Sequence, residues 1–142
     1  MKLGFSMLLI VLAVALGADP ARADDVWSAF DATDTIEITT QDDDGETRET
    51  PIWIVVVDAA GYIRTNDSTW LANIRRGSEV KIRAGEVELD VQAEEEEDAE
   101  VYDRVEEAFK EKYGWMQRLM SRFRTTRPTV LRLLPPSAAP AE

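Results

Sequence analysis

Residues 45–65 have the sequence GETRETPIWIVVVDAAGYIRT, and this stretch decides the fold. It predicts a strand over Thr47–Val57, in which every residue of the run Ile52–Val57 is apolar. A run that is apolar on both faces is typical of a strand covered on both sides, so we expect it to be the central strand of the domain. Asp58–Gly61 then predicts a tight turn, and Tyr62–Thr65 predicts the next strand.

The segments before this stretch predict one helix and one strand. A helix over Asp24–Phe30 precedes a strand over Asp34–Thr40, in which Ile36 and Ile38 face the same way. Asp44-Gly45 predicts the hairpin turn that leads into Thr47, because glycine accepts a positive φ.

The segments after it alternate between helices and strands. We expect a helix at Asn66–Arg76, a hairpin of Ser78–Arg83 and Glu86–Gln92 with Val87, Leu89 and Val91 buried, helices at Asp98–Tyr113 and Trp115–Arg124, and a last strand at Thr129–Leu134. Short antiparallel strands joined by tight turns, with helices inserted between them, predict an α+β protein built on a small closed or split barrel.

The N-terminus has the three parts of an export signal. Lys2 supplies the positive charge, Met7–Leu16 the apolar core, and Ala21-Arg22-Ala23 a small-x-small cleavage site. We therefore predict a cleavable signal peptide over residues 1–23, one domain over 24–134, a tail over 135–142, and a periplasmic or secreted protein. An uncleaved anchor is the alternative, although the apolar core is shorter than the roughly 20 residues of a membrane span.

Composition excludes several classes of function. The chain has no Cys and no His, so thiolate nucleophiles, thiolate metal sites and a Ser-His-Asp arrangement are absent. Its net charge of −12 argues against binding nucleic acid, since Lys and Arg supply most of that affinity. It also argues against stable association with anionic membranes after cleavage.

Local motifs give little support for nucleotide or metal binding. The glycines after residue 23 are too far apart for a P-loop or a Rossmann fingerprint, and we attribute each to a turn or a helix end. A calcium loop starting at Thr40 would need a glutamate where Pro51 stands, so a hairpin turn is the better interpretation. The acidic run Glu94–Asp98 is typical of a helix start. We predict no metal site.

Two arginines and several hydroxyl groups near the fold-deciding stretch form the candidate site. Free backbone amides beside two guanidinium groups can bind phosphate or carboxylate. The members are Arg48, Thr50, Arg64, Thr65, Ser68, Thr69, Trp70 and Asn73. Pairing of the arginines with surface acids is an equally good interpretation, because acidic residues outnumber basic ones.

The segment from Trp115 to Arg127 is basic and amphipathic within an acidic protein. It suggests an anion-binding rim or a lipid contact. Alternatively, its apolar face closes the barrel while its arginines pair with acidic residues.

Several further segments, in their order, resemble a known family. They are Asp34–Ile38, Gly45–Trp53, Tyr62–Thr65 with Trp70, Val80–Gly85, Ala108–Gly114 and Val130–Leu133. Together they are similar to a bacterial family of unknown function, domain of unknown function 2255. That family is related to the pyridoxamine-phosphate-oxidase-like and deazaflavin-dependent nitroreductase split barrels.

The resemblance implies a six-stranded split barrel, often a homodimer, that holds FMN or deazaflavin in a groove. The strand that begins at Arg48 and Thr50 would border the cofactor, and Arg64, Thr65, Ser68 and Trp70 would be its neighbours. The loop Asn66–Thr69 is shorter than in those enzymes and lacks their lysine.

Two functions follow from these observations. One is an exported split barrel that binds a small anionic ligand or a protein partner without a cofactor. The other is an FMN- or deazaflavin-dependent reductase of the cell envelope, in which the cofactor supplies the hydride chemistry. The short loop and the negative charge favour the first.

Overall fold

The computed structural model describes residues 21–121 and 127–135. The described residues form three helices and seven strands. The helices are α1 (Ala21–Asp31), α2 (Thr69–Arg75) and α3 (Ala99–Ser121). The strands are β1 (Ile36–Gln41), β2 (Thr47–Ile52), β3 (Val55–Val57), β4 (Ala60–Thr65), β5 (Val80–Ala84), β6 (Val87–Glu95) and β7 (Thr129–Leu134).

The strands form one curled antiparallel sheet in the order β2-β1-β5-β6-β7-β4-β3, which makes a half-barrel. β6 turns the sheet, because its first part pairs with β5 (Val80 opposite Val91) and its last four residues pair with β7 (Gln92 opposite Leu134). The α+β class and the antiparallel sheet are confirmed. The implied count of six strands is wrong, because the predicted strand Thr47–Val57 is two strands.

That division corrects our main prediction for the stretch. β2 and β3 lie at the two opposite edges of the sheet, so the chain crosses between the edges at Trp53 and Ile54, and Ile52–Val57 is not one central strand. The run Ile52–Val57 is apolar on both faces because its residues are buried on two different sides of the sheet. Ile52 and Ile54 are buried in the core inside the curl, whereas Val55 is buried under α3 on the outside. Both sides of the crossing are covered, as the pattern indicated, but the cover on one side is a helix.

The crossing is held by α3. Ile54 lies between the two strands, and its amide donates to the Tyr113 hydroxyl at 3.0 Å. Its carbonyl accepts from Lys112 Nζ at 2.8 Å and lies 3.0 Å from the same hydroxyl, which also lies 2.7 Å from the Asp34 carbonyl. Trp53 stacks on the Tyr113 ring, with centroids 4.1 Å apart. These side chains satisfy backbone groups that a continuous strand would have paired with a neighbour.

Two apolar clusters result. The inner cluster lies inside the curl and contains Trp27, Phe30, Ile36, Ile38, Ile63, Trp70, Leu71, Ile82, Leu131 and Leu133 among others. The outer cluster joins the sheet to α3 and contains Val55, Ala60, Tyr62, Tyr102, Val105, Phe109, Tyr113 and Val130. None of the helices formed by the described residues has the length and apolar character that crossing a bilayer requires.

The turn before β4 differs from the prediction. Asp58 and Ala59 have the positive φ values, 51° and 63°, whereas Gly61 lies within β4. Gly61 is needed there for space, because a Cβ would meet a ring carbon of the buried Trp27 at 2.5 Å. Our attribution of Gly61 to a turn is therefore wrong.

The other elements lie near their predicted positions, but α2 begins at Thr69 instead of Asn66, and β6 continues through Glu94 and Glu95 of the acidic run that was predicted to start a helix. Ser68 caps α2, Gly77 follows it with φ 101°, and Gly114 interrupts α3 with φ 53°. Val87, predicted on the buried face, is 43% exposed because it begins β6 at the hairpin end. The predicted signal peptide lies outside the described residues apart from 21–23, and the predicted tail lies outside them apart from Pro135. Of the predicted basic helix, the backbone is helical to Ser121.

Candidate functional site

A polar cluster lies where the β1–β2 hairpin meets the end of α2. We call it the Asp42 cluster, and its members are Thr40, Asp42, Arg48, Asn73 and Arg76. Thr40 is in β1, Asp42 follows that strand, and Arg48 is in β2 opposite Thr40. Asn73 and Arg76 come from the last turn of α2. Five side chains from three elements therefore meet at one end of the sheet.

The Asp42 carboxylate is the acceptor at the centre of this cluster. Arg48 donates to both of its oxygens, with Nε at 2.8 Å and Nη2 at 3.1 Å. Asn73 Nδ2 donates to Asp42 Oδ1 at 2.9 Å. Proteins often recognise carboxylate and phosphate groups in this way, with one guanidinium donating to two oxygens of the same group.

Asn73 organises the cluster from the interior. Its side chain is buried, and Nδ2 also donates to the buried Thr40 Oγ1 at 3.0 Å. Its Oδ1 accepts from Arg76 Nη2 at 2.6 Å, and the same nitrogen donates to the Gln41 carbonyl at 3.3 Å. Because the buried amide is fully paired, it fixes both the carboxylate and the second guanidinium.

The charged groups of the cluster stabilise each other in their ionised forms. The hydrogen bonds from Arg48 and Asn73 hold the pKa of Asp42 below its ordinary value, and the positive charges of Arg48 and Arg76 act in the same direction. The hydrogen bond to Asp42 raises the pKa of Arg48 in turn. Asp42 is therefore an anion that faces two guanidinium groups. The Arg48 and Asn73 donors are of the kind that bind a carboxylate or phosphate, and Asp42 occupies them in this structure.

Arg64, the second arginine of the predicted site, lies elsewhere. Its side chain is 8% exposed, donates to Glu106 Oε2 at 2.7 Å and lies 4.0 Å above the Phe109 ring. Both partners belong to α3, so Arg64 ties β4 to this helix. The alternative interpretation, that the two arginines pair with acidic residues, describes Arg64 and also Arg48, which pairs with Asp42.

The remaining predicted residues have separate positions. Thr50 is in β2 opposite Ile38, and Thr65 ends β4 opposite Thr129. The Ser68 hydroxyl accepts from the Leu71 amide at 3.2 Å as the cap of α2. Trp70 is buried in the inner cluster. The predicted set is thus divided between the Asp42 cluster, the cap and core of α2, the contact with α3, and separate strand positions for Thr50 and Thr65.

Sequence reasoning missed Asp42 and Arg76 as site members. The sequence places Asp42 in a hairpin turn, and that turn is confirmed, since the Asp42 amide donates to the Glu46 carbonyl and the Gly45 amide to the Asp42 carbonyl. The only sequence signal for Arg76 is its position beside Gly77, at the end of a predicted helix. In the part of the chain that the structure describes, no three acidic side chains are arranged to hold a metal ion.

Comparison with known proteins supports the fold. A family model described as "Uncharacterized protein conserved in bacteria (DUF2255)" matches residues 27–133. No curated protein matches the sequence at a significant level.

Solved structures share the architecture at low identity. The chain is similar to a conserved hypothetical protein, Rv2991, of Mycobacterium tuberculosis, with 19% identity, a TM-score of 0.61, and 87% of this chain and 90% of that one covered. It is similar to HutZ, the heme storage protein of Vibrio cholerae, with 17% identity, a TM-score of 0.60, and coverages of 78% and 87%. A putative pyridoxamine 5'-phosphate oxidase of Listeria innocua has 14% identity, a TM-score of 0.59, and coverages of 80% and 92%. The resemblance to these split barrels is confirmed for the fold.

Proposed function

Since the chain belongs to this family of uncharacterized bacterial proteins, DUF2255, we propose its function from the site itself. We propose that it is an exported split-barrel protein that binds a small anionic ligand without a cofactor. The ligand site is the Asp42 cluster, and the ligand carries a carboxylate or phosphate group.

One observation carries this proposal: the cluster is already arranged around an anion. Arg48 and Asn73 donate to the Asp42 carboxylate, Asn73 also holds Arg76, and Asp42 stands next to the exposed turn Asp43–Glu46. A ligand carboxylate or phosphate would take over these donors as Asp42 moves outward with the turn. Asp42 then acts as an internal competitor that keeps the affinity modest in the absence of a strongly charged ligand.

Two observations support the part of the proposal that concerns cofactors. Ser68 and Trp70, which the resemblance would place beside a flavin, are used as a helix cap and a core residue. Histidine and cysteine, the commonest ligands of heme iron, are absent from the sequence. Both observations favour a protein that works without a cofactor.

Replacing Asp42 by asparagine is the direct test of the site. Titration with inorganic phosphate and with succinate, followed by amide chemical shifts, should show saturable changes around Asp42 and the end of α2. The Asp42→Asn variant should bind about tenfold more tightly or better, because a competing anion is removed. Adding Arg48→Ala to that variant should lower its affinity roughly tenfold or more, because a hydrogen bond to a charged group is lost.

Arg83→Ala is the matched control, since Arg83 pairs with Glu37 on β1 outside the cluster. It should leave the affinity unchanged. Equal binding by the wild type, Asp42→Asn and Arg48→Ala variants would place the anion elsewhere and remove the basis of the proposal.

Export is the part of the proposal that depends on residues 1–23. Expression of the full chain in a bacterial host, followed by fractionation and mass measurement, would show a periplasmic product that begins near Asp24. A full-length product in the cytoplasmic fraction would contradict it.

The second candidate is an FMN- or deazaflavin-dependent reductase of the cell envelope. Its support is the fold shared with the putative pyridoxamine 5'-phosphate oxidase of Listeria innocua. An absorbance titration of the folded protein with FMN and with reduced deazaflavin separates the two candidates. Saturable micromolar binding of either would favour the reductase over the cofactor-free protein.

A further inference from the structure

A groove of about 560 Å³ lies where β5 and β6 separate, beside the end of α2. The ladder between the two strands ends with Val80, the first residue of β5, opposite Val91. β6 continues to Glu95, and from Gln92 onward it pairs with β7 instead. The groove therefore lies in a wedge on the β5 side of β6. Its volume is within the range of pockets that bind small molecules.

The floor of the groove is apolar. Val80 and Val91 are buried members of the inner cluster, and both line the groove. Ile74 and Ala93 also line it, and these two half-buried side chains pack against the same cluster. An apolar group that enters the groove therefore meets a surface continuous with the core of the protein.

The wall opposite β6 is the segment Gly77–Glu79, which joins α2 to β5. Two hydrogen bonds of Ser78 hold this segment away from β6. Its amide donates to the Asn73 carbonyl at 3.0 Å, and its hydroxyl accepts from the Gln41 amide at 2.9 Å. Because these partners belong to α2 and β1, the wedge between the wall and β6 stays open.

The backbone of Ala93 faces this wedge. Successive residues of an antiparallel strand direct their N–H and C=O groups to opposite neighbours. The Glu96 amide donates to the carbonyl of Val130 in β7 at 2.8 Å, so the even-numbered residues of β6 face β7 and the odd-numbered ones face β5. Val91 finds its partner in Val80, but Ala93 lies beyond the start of β5. Its N–H and C=O therefore point into the wedge, where the described residues provide no strand partner.

Two of the three carboxylates in the lining stand beside basic side chains. Asp90 lies 3.9 Å from Lys81 Nζ, and Glu94 is opposite Arg132 in the pairing of β6 with β7. The third carboxylate, that of Glu79, is exposed to solvent. Hydrogen bonds and apolar contact, and not charge, therefore decide what the groove accepts.

The length of the wedge limits the ligand. One end is closed by the pair of Val80 and Val91. At the other end, Arg75 of α2 donates to both carboxylate oxygens of Glu95, with Nε at 2.7 Å and Nη2 at 3.0 Å. Between Val91 and Glu95 the strand rises by about 13 Å, which accommodates roughly two or three extended residues. This length is too short for a strand of a partner protein that runs through the groove.

From these observations we infer that the groove binds a short extended peptide with an apolar central residue. The N–H of that residue donates to the Ala93 carbonyl, and its carbonyl accepts from the Ala93 amide, as in strand addition to a sheet. Residues opposite each other in a sheet have their side chains on the same face, so the apolar side chain lies beside Ala93 and Ile74. The site goes beyond the proposed function, and none of the five side chains of the Asp42 cluster lines it.

Three capped tripeptides test the inference: acetyl-Gly-Val-Gly-amide, its N-methylvaline analogue and acetyl-Gly-Asp-Gly-amide. Each is titrated into the wild-type protein, and the Ala93 amide signal and the methyl signals of Ile74, Val80 and Val91 are followed by NMR. The valine peptide should shift these signals saturably. The N-methyl analogue lacks the N–H that donates to Ala93, so it should bind roughly fivefold more weakly or worse. The aspartate peptide should not bind, because its carboxylate would lie on the apolar floor.

Two results with these peptides would overturn the inference. One is the absence of saturable shifts with the valine peptide. The other is equal affinity for the valine peptide and its N-methyl analogue, which would show that Ala93 does not pair with the ligand as a strand.

Ile74→Ala and Leu89→Ala locate the peptide. Both residues are half-buried and pack against the inner cluster, but of the two only Ile74 lines the groove. Ile74→Ala should lower the affinity for the valine peptide roughly threefold or more, because apolar contact is lost. Leu89→Ala should leave it unchanged, and so should Asp42→Asn, which separates this site from the anion site. Equal affinities in the two alanine variants, both with the circular dichroism spectrum of the wild type, would rule out the groove.

Discussion

Replacing Phe109 by alanine is expected to lower the free energy of unfolding by about 3–5 kcal/mol. Phe109 is fully buried at the centre of the outer cluster, where it joins α3 to the sheet. Its ring lies 5.9 Å from the Tyr113 ring and 4.0 Å below the Arg64 guanidinium. Removal of the ring leaves a cavity and takes away the surface on which the nearly buried arginine rests. Urea unfolding followed by circular dichroism would measure the loss.

Two further substitutions make this measurement specific. Met116→Ala, at an exposed position of the same helix, should change the stability by less than about 0.5 kcal/mol. Phe109→Leu keeps an apolar side chain but removes the ring beneath Arg64, so its loss should lie between the other two. A loss below about 1 kcal/mol in Phe109→Ala would mean that α3 is not packed on the sheet as described.

The second large effect concerns the crossing between β2 and β3. Tyr113→Phe should cost about 2–4 kcal/mol, because the Ile54 amide is left buried without a partner and the Asp34 carbonyl loses its donor. The phenyl ring can still stack on Trp53, so the loss reports on the hydroxyl. Faster hydrogen exchange at the Ile54 amide should accompany it.

Tyr102→Phe is the matched control for this change. The Tyr102 hydroxyl also lies in α3 and donates to one backbone carbonyl, that of Pro128, at 2.6 Å. Loss of that single bond should cost about 1 kcal/mol. Equal losses for the two variants would show that the Tyr113 hydroxyl does not support the crossing.

The same hydroxyl should make stability depend on alkaline pH. Burial raises the pKa of Tyr113 from 10.0 to about 12. Between these values the unfolded chain releases the proton and the folded chain retains it, so stability falls as the pH rises from about 10 to 12. The loss should be about 2–3 kcal/mol, and Tyr113→Phe should lack it. Burial lowers the pKa of Lys112, which acts in the opposite direction in both proteins and cancels in the comparison.

The local elements could be predicted because their signals lie within a few residues. Alternation placed β1, the helix predicted over Asn66–Arg76 contains α2, and β7 was predicted at its observed bounds, Thr129–Leu134. Apolar spacing and Gly114 together marked the long helix and its interruption. The exported nature of the protein and its anionic ligand remain predictions that the experiments above address.

The candidate site could be predicted only in part. Arg48 and Asn73 belonged to the predicted set and both donate to Asp42, whereas Arg64 pairs with Glu106 of α3, 42 residues away. A strand pattern shows that successive side chains point to opposite faces, but it does not show which acidic residue another element brings to each face. The partner Asp42 was missed for this reason.

The sequence by itself determined the helices, the hairpins, the acidic character and the absence of histidine and cysteine chemistry, because each depends on composition or on neighbours along the chain. Only the tertiary structure decided that the run Ile52–Val57 divides between strands at opposite edges of the sheet, with the chain crossing at Trp53 and Ile54. The residue pattern of an apolar run does not show whether a strand or a helix packs against it. Here the deciding contact joins Ile54 to Tyr113, 59 residues away, and such a pairing exists only once the sheet has curled and α3 has packed against it.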